Sequence, residues 1–119
     1  MADYNKLPFG PTTSGNPVSP KIKRMAKALL EIRDNLYEAQ GQFVNGNRSD
    51  AAANIEVAMN RATLAREEEH LTSGEATDIR GRLWTLRSEV LREDDREAVV
   101  RHIKEERSRW LEKVLDKIV

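Results

Sequence analysis

The chain has 119 residues, of which 34% are charged and 39% apolar; 20 basic side chains balance 20 acidic ones, and there is no cysteine. That size allows one domain. The composition excludes a disulfide scaffold, a zinc–thiolate site and a cysteine nucleophile. The absence of an apolar run near the roughly 18 residues of a membrane span excludes a transmembrane helix, and zero net charge argues against a generic polyanion binder. No basic segment leads into an apolar run at the start, so the expectation is a soluble, cytoplasmic protein without a secretory signal.

All four prolines, Pro8, Pro11, Pro17 and Pro20, fall in the first 20 residues. Proline removes backbone donors and glycine adds backbone entropy, so residues 1–18 read as an extended Pro/Gly-rich arm. Its apolar anchors, Leu7 and Phe9, are candidates for docking onto a neighbouring subunit. Residues 19–119 read as a helical bundle domain.

Ser19 suits an N-cap and Pro20 the first helical position. Ile22, Met25, Leu29, Ile32, Leu36, Ala39 and Phe43 then recur at spacings of three and four, which predicts a helix over about 20–44 with a seven-residue seam. Asn45-Gly46-Asn47 ends it. Ser49 or Asp50 is the expected cap of a second helix running to about Leu71. One of its faces carries Ala51, Ala52, Ile55, Ala58, Met59, Ala62 and Ala65; Val57, Leu64 and Leu71 point to the opposite side. Such a helix has two apolar faces, and the second needs a cover from another helix or another chain.

Thr72 and Glu75 fit a capping box for a third helix, whose stripe is Ala76, Ile79, Leu83, Leu86 and Val90. Residues 92–97 are polar, and Asp94 with Glu97 resembles a second capping box. The fourth helix carries Val99, Val100, Ile103, Trp110, Leu111, Val114, Leu115 and Ile118. No glycine or proline marks the joint. One continuous helix over 74–119 would be about 70 Å long and would require an oligomer to cover it. A break is expected instead, because the stripe turns polar there.

Lys21, Lys23, Arg24 and Lys27 crowd the start of helix 1, and Glu67, Glu68 and Glu69 the end of helix 2. Each cluster opposes its own helix dipole. In an antiparallel hairpin the two ends lie side by side, so the clusters read as complementary. The rival reading makes the four cations a polyanion contact of a nucleic-acid-binding oligomer. Acid-before-base pairs four apart, such as Asp78 and Arg82, mark solvated helix faces.

Glu67 and His70 stand in a Glu-x-x-His relation used by metal-binding bundles, but Val99 stands three residues before His102, so no second copy exists. Most of the serines sit near caps or in the arm, and no Gly-rich loop follows a strand. No cofactor or metal is expected, and a metal-dependent helical-bundle enzyme is the least favoured alternative. Trp84 and Trp110 each close a core edge or anchor an interface.

The fold class expected is all-α, an antiparallel bundle of three to four long helices behind the extended N-terminal arm. The function expected is that of a non-enzymatic interaction or assembly subunit, an adaptor or scaffold acting on a protein partner or on itself as a homo-oligomer. Its expected contacts are Leu7, Phe9, Val57, Leu64, Leu71, Trp84, Trp110, Leu111 and Leu115. Nucleic acid is a lesser alternative, and no membrane partner is expected.

Overall fold

The first helix begins where the last proline stops. Its N-cap Ser19 accepts a hydrogen bond from the Ile22 N–H at 3.2 Å, and Pro20 occupies the first turn, where its missing donor is not needed. A computed structural model describes residues 19–92 and 95–118. The expectations for the arm, including Leu7 and Phe9, lie outside the described residues. Helix α1 spans Pro20–Val44, α2 Arg48–Glu67, α3 Ser73–Arg92 and α4 Arg96–Ile118.

The reversal after α1 uses Gly46 at φ 87°, a conformation that costs glycine nothing. The turn hands the chain to α2 so tightly that Asn47 is the cap residue, and its side chain makes no capping bond. Ser49 and Asp50, the expected caps, are instead inside the first turn. Asp50 there complements the helix dipole.

Helix α2 ends at Glu67 rather than near Leu71. Glu69 adopts φ 64°, and the N–H of His70 reaches back to the Ala65 carbonyl at 2.7 Å. This left-handed closure swings Leu71 off the helix and into the core, where it is 5% exposed. Glutamate in that conformation costs about 1–2 kcal/mol. Glu69→Gly is therefore expected to raise stability by about 1 kcal/mol after the entropy of the unfolded glycine is subtracted, read as a higher urea midpoint at unchanged m-value.

The capping box before α3 is complete: the Glu75 N–H donates to Thr72 Oγ1 at 3.1 Å, and the Thr72 N–H to Glu75 Oε1 at 2.9 Å. Helices α3 and α4 are separate elements, not one rod. The cap of α4 is Asp95, whose Oδ1 accepts from the Ala98 N–H at 3.1 Å. The expected cap, Asp94, lies outside the described residues.

Short connections make sequential helices antiparallel neighbours. Helix α1 packs against both α2 and α4, and α2 against α3, while α3 and α4 share the thinnest contact. The molecule is thus an all-α, four-helix up-and-down bundle. Met25, Leu29, Ile32, Leu36, Ala39 and Phe43 of α1 are all buried, so the seam read from spacing is the core seam. Helix α2 brings its alanine face to it, α3 brings Ala76, Ile79, Leu83, Leu86 and Val90, and α4 brings Val99, Ile103, Trp110 and Val114.

Candidate interaction surface

Two polar seams cross the bundle, and both were missed as sites in the sequence. Between α1 and α2, Asn35 Nδ2 donates to Asn54 Oδ1 at 2.9 Å, and Asn54 Nδ2 to Gln42 Oε1 at 3.0 Å. Ala28, Asn35 and Gln42 are seven apart, so a secondary stripe on the α2 flank of α1 was readable. Between α3 and α4 lies a charged seam centred on Glu106. That residue is 3% exposed, at the core position between Ile103 and Trp110. Its Oε2 faces Arg82 at 4.0 Å, His102 at 3.6 Å and Arg109 at 3.7 Å, while His102 Nδ1 bonds Glu89 Oε1 at 2.8 Å. A glutamate inside the spacing Val99, Ile103, Val114 was the signal for it.

The carboxylate is desolvated, its cations stand beyond hydrogen-bond contact, and Oε1 has no partner. Burial of a charge on such terms costs more than the pairing returns. Arg82, His102 and Arg109 are partly exposed and can turn to water. Glu106→Leu is expected to stabilise the bundle by about 1–2 kcal/mol, seen as a rise in thermal midpoint. A fall would mean that the seam holds α3 and α4 in register.

Among the described residues, no three His, Asp or Glu side chains come together in a way that could hold a metal ion. A cleft of about 890 Å³ opens at the end of the bundle. Lys21, Arg24, Arg66 and His70 line it together with Glu68, Glu69 and Glu75. The basic cluster and the acids that end α2 therefore border one cleft, and a narrower groove beside it holds Arg24, Lys27, Glu31, Arg61 and Glu68. Lys21, Lys23, Arg24 and Lys27 are exposed, but with both signs on the cleft walls the local field is largely cancelled.

The apolar surface is more orderly. Large exposed apolar side chains occur as pairs seven apart: Tyr37 and Val44 on α1, Val57 and Leu64 on α2, Trp84 and Leu91 on α3, with Leu115 on α4 besides. Such spacing puts both members of a pair on one line along the helix. Tyr37 is accounted for within the chain, because the Arg107 guanidinium lies 4.0 Å from its ring centre. Trp84 is the largest exposed apolar side chain, at 58%, with the Arg87 guanidinium at 5.9 Å.

Against the expected contacts, Val57, Leu64, Trp84 and Leu115 are exposed, and Leu111 is half-buried. Leu71 and Trp110 are corrections. Leu71 is in the core because α2 ends before it, and Trp110 is 1% exposed because its α4 position faces the bundle interior. Leu91, seven residues beyond Trp84, is exposed as well and belongs with the surface set. The exposed pairs lie on separate faces: Trp84 and Leu91 line α3, whereas Leu64 of α2 borders the groove with Arg24, Lys27 and Glu31 of α1. No helix among the described residues is long and apolar enough to cross a membrane. No protein family, curated protein or solved structure matches this chain.

Proposed function

We propose that this chain is a non-enzymatic helical assembly subunit that acts through protein–protein contacts on the outer side of α2 and α3. The observation that carries the reading is Trp84, a mid-helix tryptophan left in solvent. A side chain of this type buries about 150–250 Å² and dominates contacts where it is covered. At 58% exposed, more than half of its surface is left uncovered by the bundle. Leu91 continues the apolar line along α3, and Val57 and Leu64 form a second exposed apolar pair on α2, in a chain one-third charged.

The test is a photo-reactive amino acid placed at position 84 or 64 and irradiated in the cells that make the protein. Discrete protein adducts at both positions, and none from the same probe at exposed Glu112, are the expected result. Irradiation that yields no adduct above the Glu112 background would overturn the reading.

A further inference from the structure

We infer that the partner seated on α3 is a second copy of this chain, with two α3 helices packed antiparallel. The inference rests on the assembly reading above and names its partner. Helix α3 carries two glycines, Gly74 and Gly81, on an exposed face. A Cβ built on either meets nothing within 4 Å, so nothing inside the chain calls for glycine there. Mid-helix at Gly81 it is a poorer helix former than alanine. Glycine on an open helix face admits the close approach of another helix. Gly41 on α1 also meets open space, but its own face carries the charges Asp34 and Glu38.

At 100° per residue, Gly74, Thr77, Gly81, Trp84, Ser88 and Leu91 fall within one third of the α3 circumference. Arg92, in line with Gly74 at the last residue of α3, is the one charge in that sector, in a chain one-third charged. The stripe's two notches, Gly74 and Gly81, are seven apart, and so are its two knobs, Trp84 and Leu91. Equal spacing lets a reversed second copy engage both couples in one register. Trp84 comes level with Gly81 of the second copy, Leu91 with its Gly74, and Thr77 with its Ser88, about a two-fold axis between residues 82 and 83. A two-fold contact repeats each of these matches.

Charge agrees with this register. Glu56, Thr63 and Glu67 share one flank of α2, and the bond from Arg80 to the Thr63 hydroxyl identifies it as the α3 flank. In the antiparallel pair, α2 of each copy runs beside the other, which brings Arg87 toward Glu67 of the second copy. Helix α3 has 20 residues, so at 1.5 Å rise and about 20 Å of width across two helices the strip covers about 600 Å² per copy. That is somewhat below the roughly 800 Å² of a standard stable interface and fits a dimer that dissociates on dilution.

The chain has no cysteine, so engineered ones report without background. A mixture of full chains carrying Thr77→Cys and full chains carrying Ser88→Cys is expected to form the mixed disulfide dimer on mild oxidation, while either variant alone does not. Gly81→Leu is expected to raise the thermal midpoint, through better helix propensity, and yet weaken dimerisation at least about tenfold in light scattering. A wild-type chain that stays monomeric to submillimolar concentration would overturn the inference, as would like-with-like crosslinks or a dimer indifferent to Gly81→Leu. Protection of Trp84 from acrylamide in a monomer would assign the face to residues 1–18 instead and equally overturn it. In-cell adducts from position 84 separate the two levels: a mass of twice the chain supports the second copy. An adduct of other mass overturns the second copy and leaves the assembly reading standing.

Discussion

Trp110→Ala is expected to cost the bundle about 3–5 kcal/mol, close to half of the total stability of a typical domain. Trp110 is the largest of the fully buried side chains. It sits where the bundle has least to spare. Helix α4 contacts α1 extensively but α3 only thinly, and the neighbouring core position holds Glu106 rather than an apolar residue. Truncation therefore opens a cavity that has Val114 on one side but the Glu106 carboxylate, not an apolar side chain, on the other turn of α4. The indole N–H has no hydrogen-bond partner, so no polar pairing is lost and the whole cost is burial and cavity. Urea unfolding followed by circular dichroism measures it. A loss below about 1 kcal/mol would mean that the C-terminal half of α4 adds little to the cooperative unit.

What the sequence made legible follows from which signals are periodic. The α1 seam from Met25 to Phe43 was readable because every buried apolar position recurs at three or four residues and nothing interrupts it. The capping box at Thr72 and Glu75 was readable because it is local chemistry. The end of α2 was not: it depends on Glu69 in a left-handed conformation, which glycine or asparagine would have announced and glutamate conceals. That single residue moved Leu71 from the outer face to the core. Trp110 was placed ambiguously for a related reason. Spacing put it on the α4 stripe, but an indole can be either a core plug or a surface anchor, and only the packing of α4 against α1 decides.

The candidate surface was legible only in part, because exposure is a property of the assembled bundle. Val57 and Leu64 could be assigned outward from α2 alone, since the alanine face had already claimed the inside. The α3 stripe could not, because Trp84 and Leu91 look like flanks of an ordinary core stripe until α2 and α4 are seen to leave them uncovered. Glu106 shows the opposite error. A glutamate in a highly charged helix reads as solvated, and its burial became visible only when α3 closed over it.

Ala62→Leu tests how closely α2 is held, and the expected loss is about 2–3 kcal/mol. Ala51, Ala52, Ala58, Ala62 and Ala65 are all at most 4% exposed, and Ala62 itself is fully buried. Helix axes separate by about 8–10 Å according to the side chains between them, and small residues give the near end of that range. Exchanging a methyl for an isobutyl group at Ala62 forces α2 outward. Helix α2 packs on α1 and on α3 at once, so the shift disturbs both contacts and strains the Asn35–Asn54–Gln42 amide chain. The control lies on the same helix. Ala53 is exposed, and Ala53→Leu is expected to change stability by less than about 0.5 kcal/mol. Equal effects at the two positions, measured by urea titration, would show that α2 is held by its helix propensity rather than by the alanine face. A large difference assigns the alanines their role: they set the spacing that lets modest apolar content fill a four-helix core.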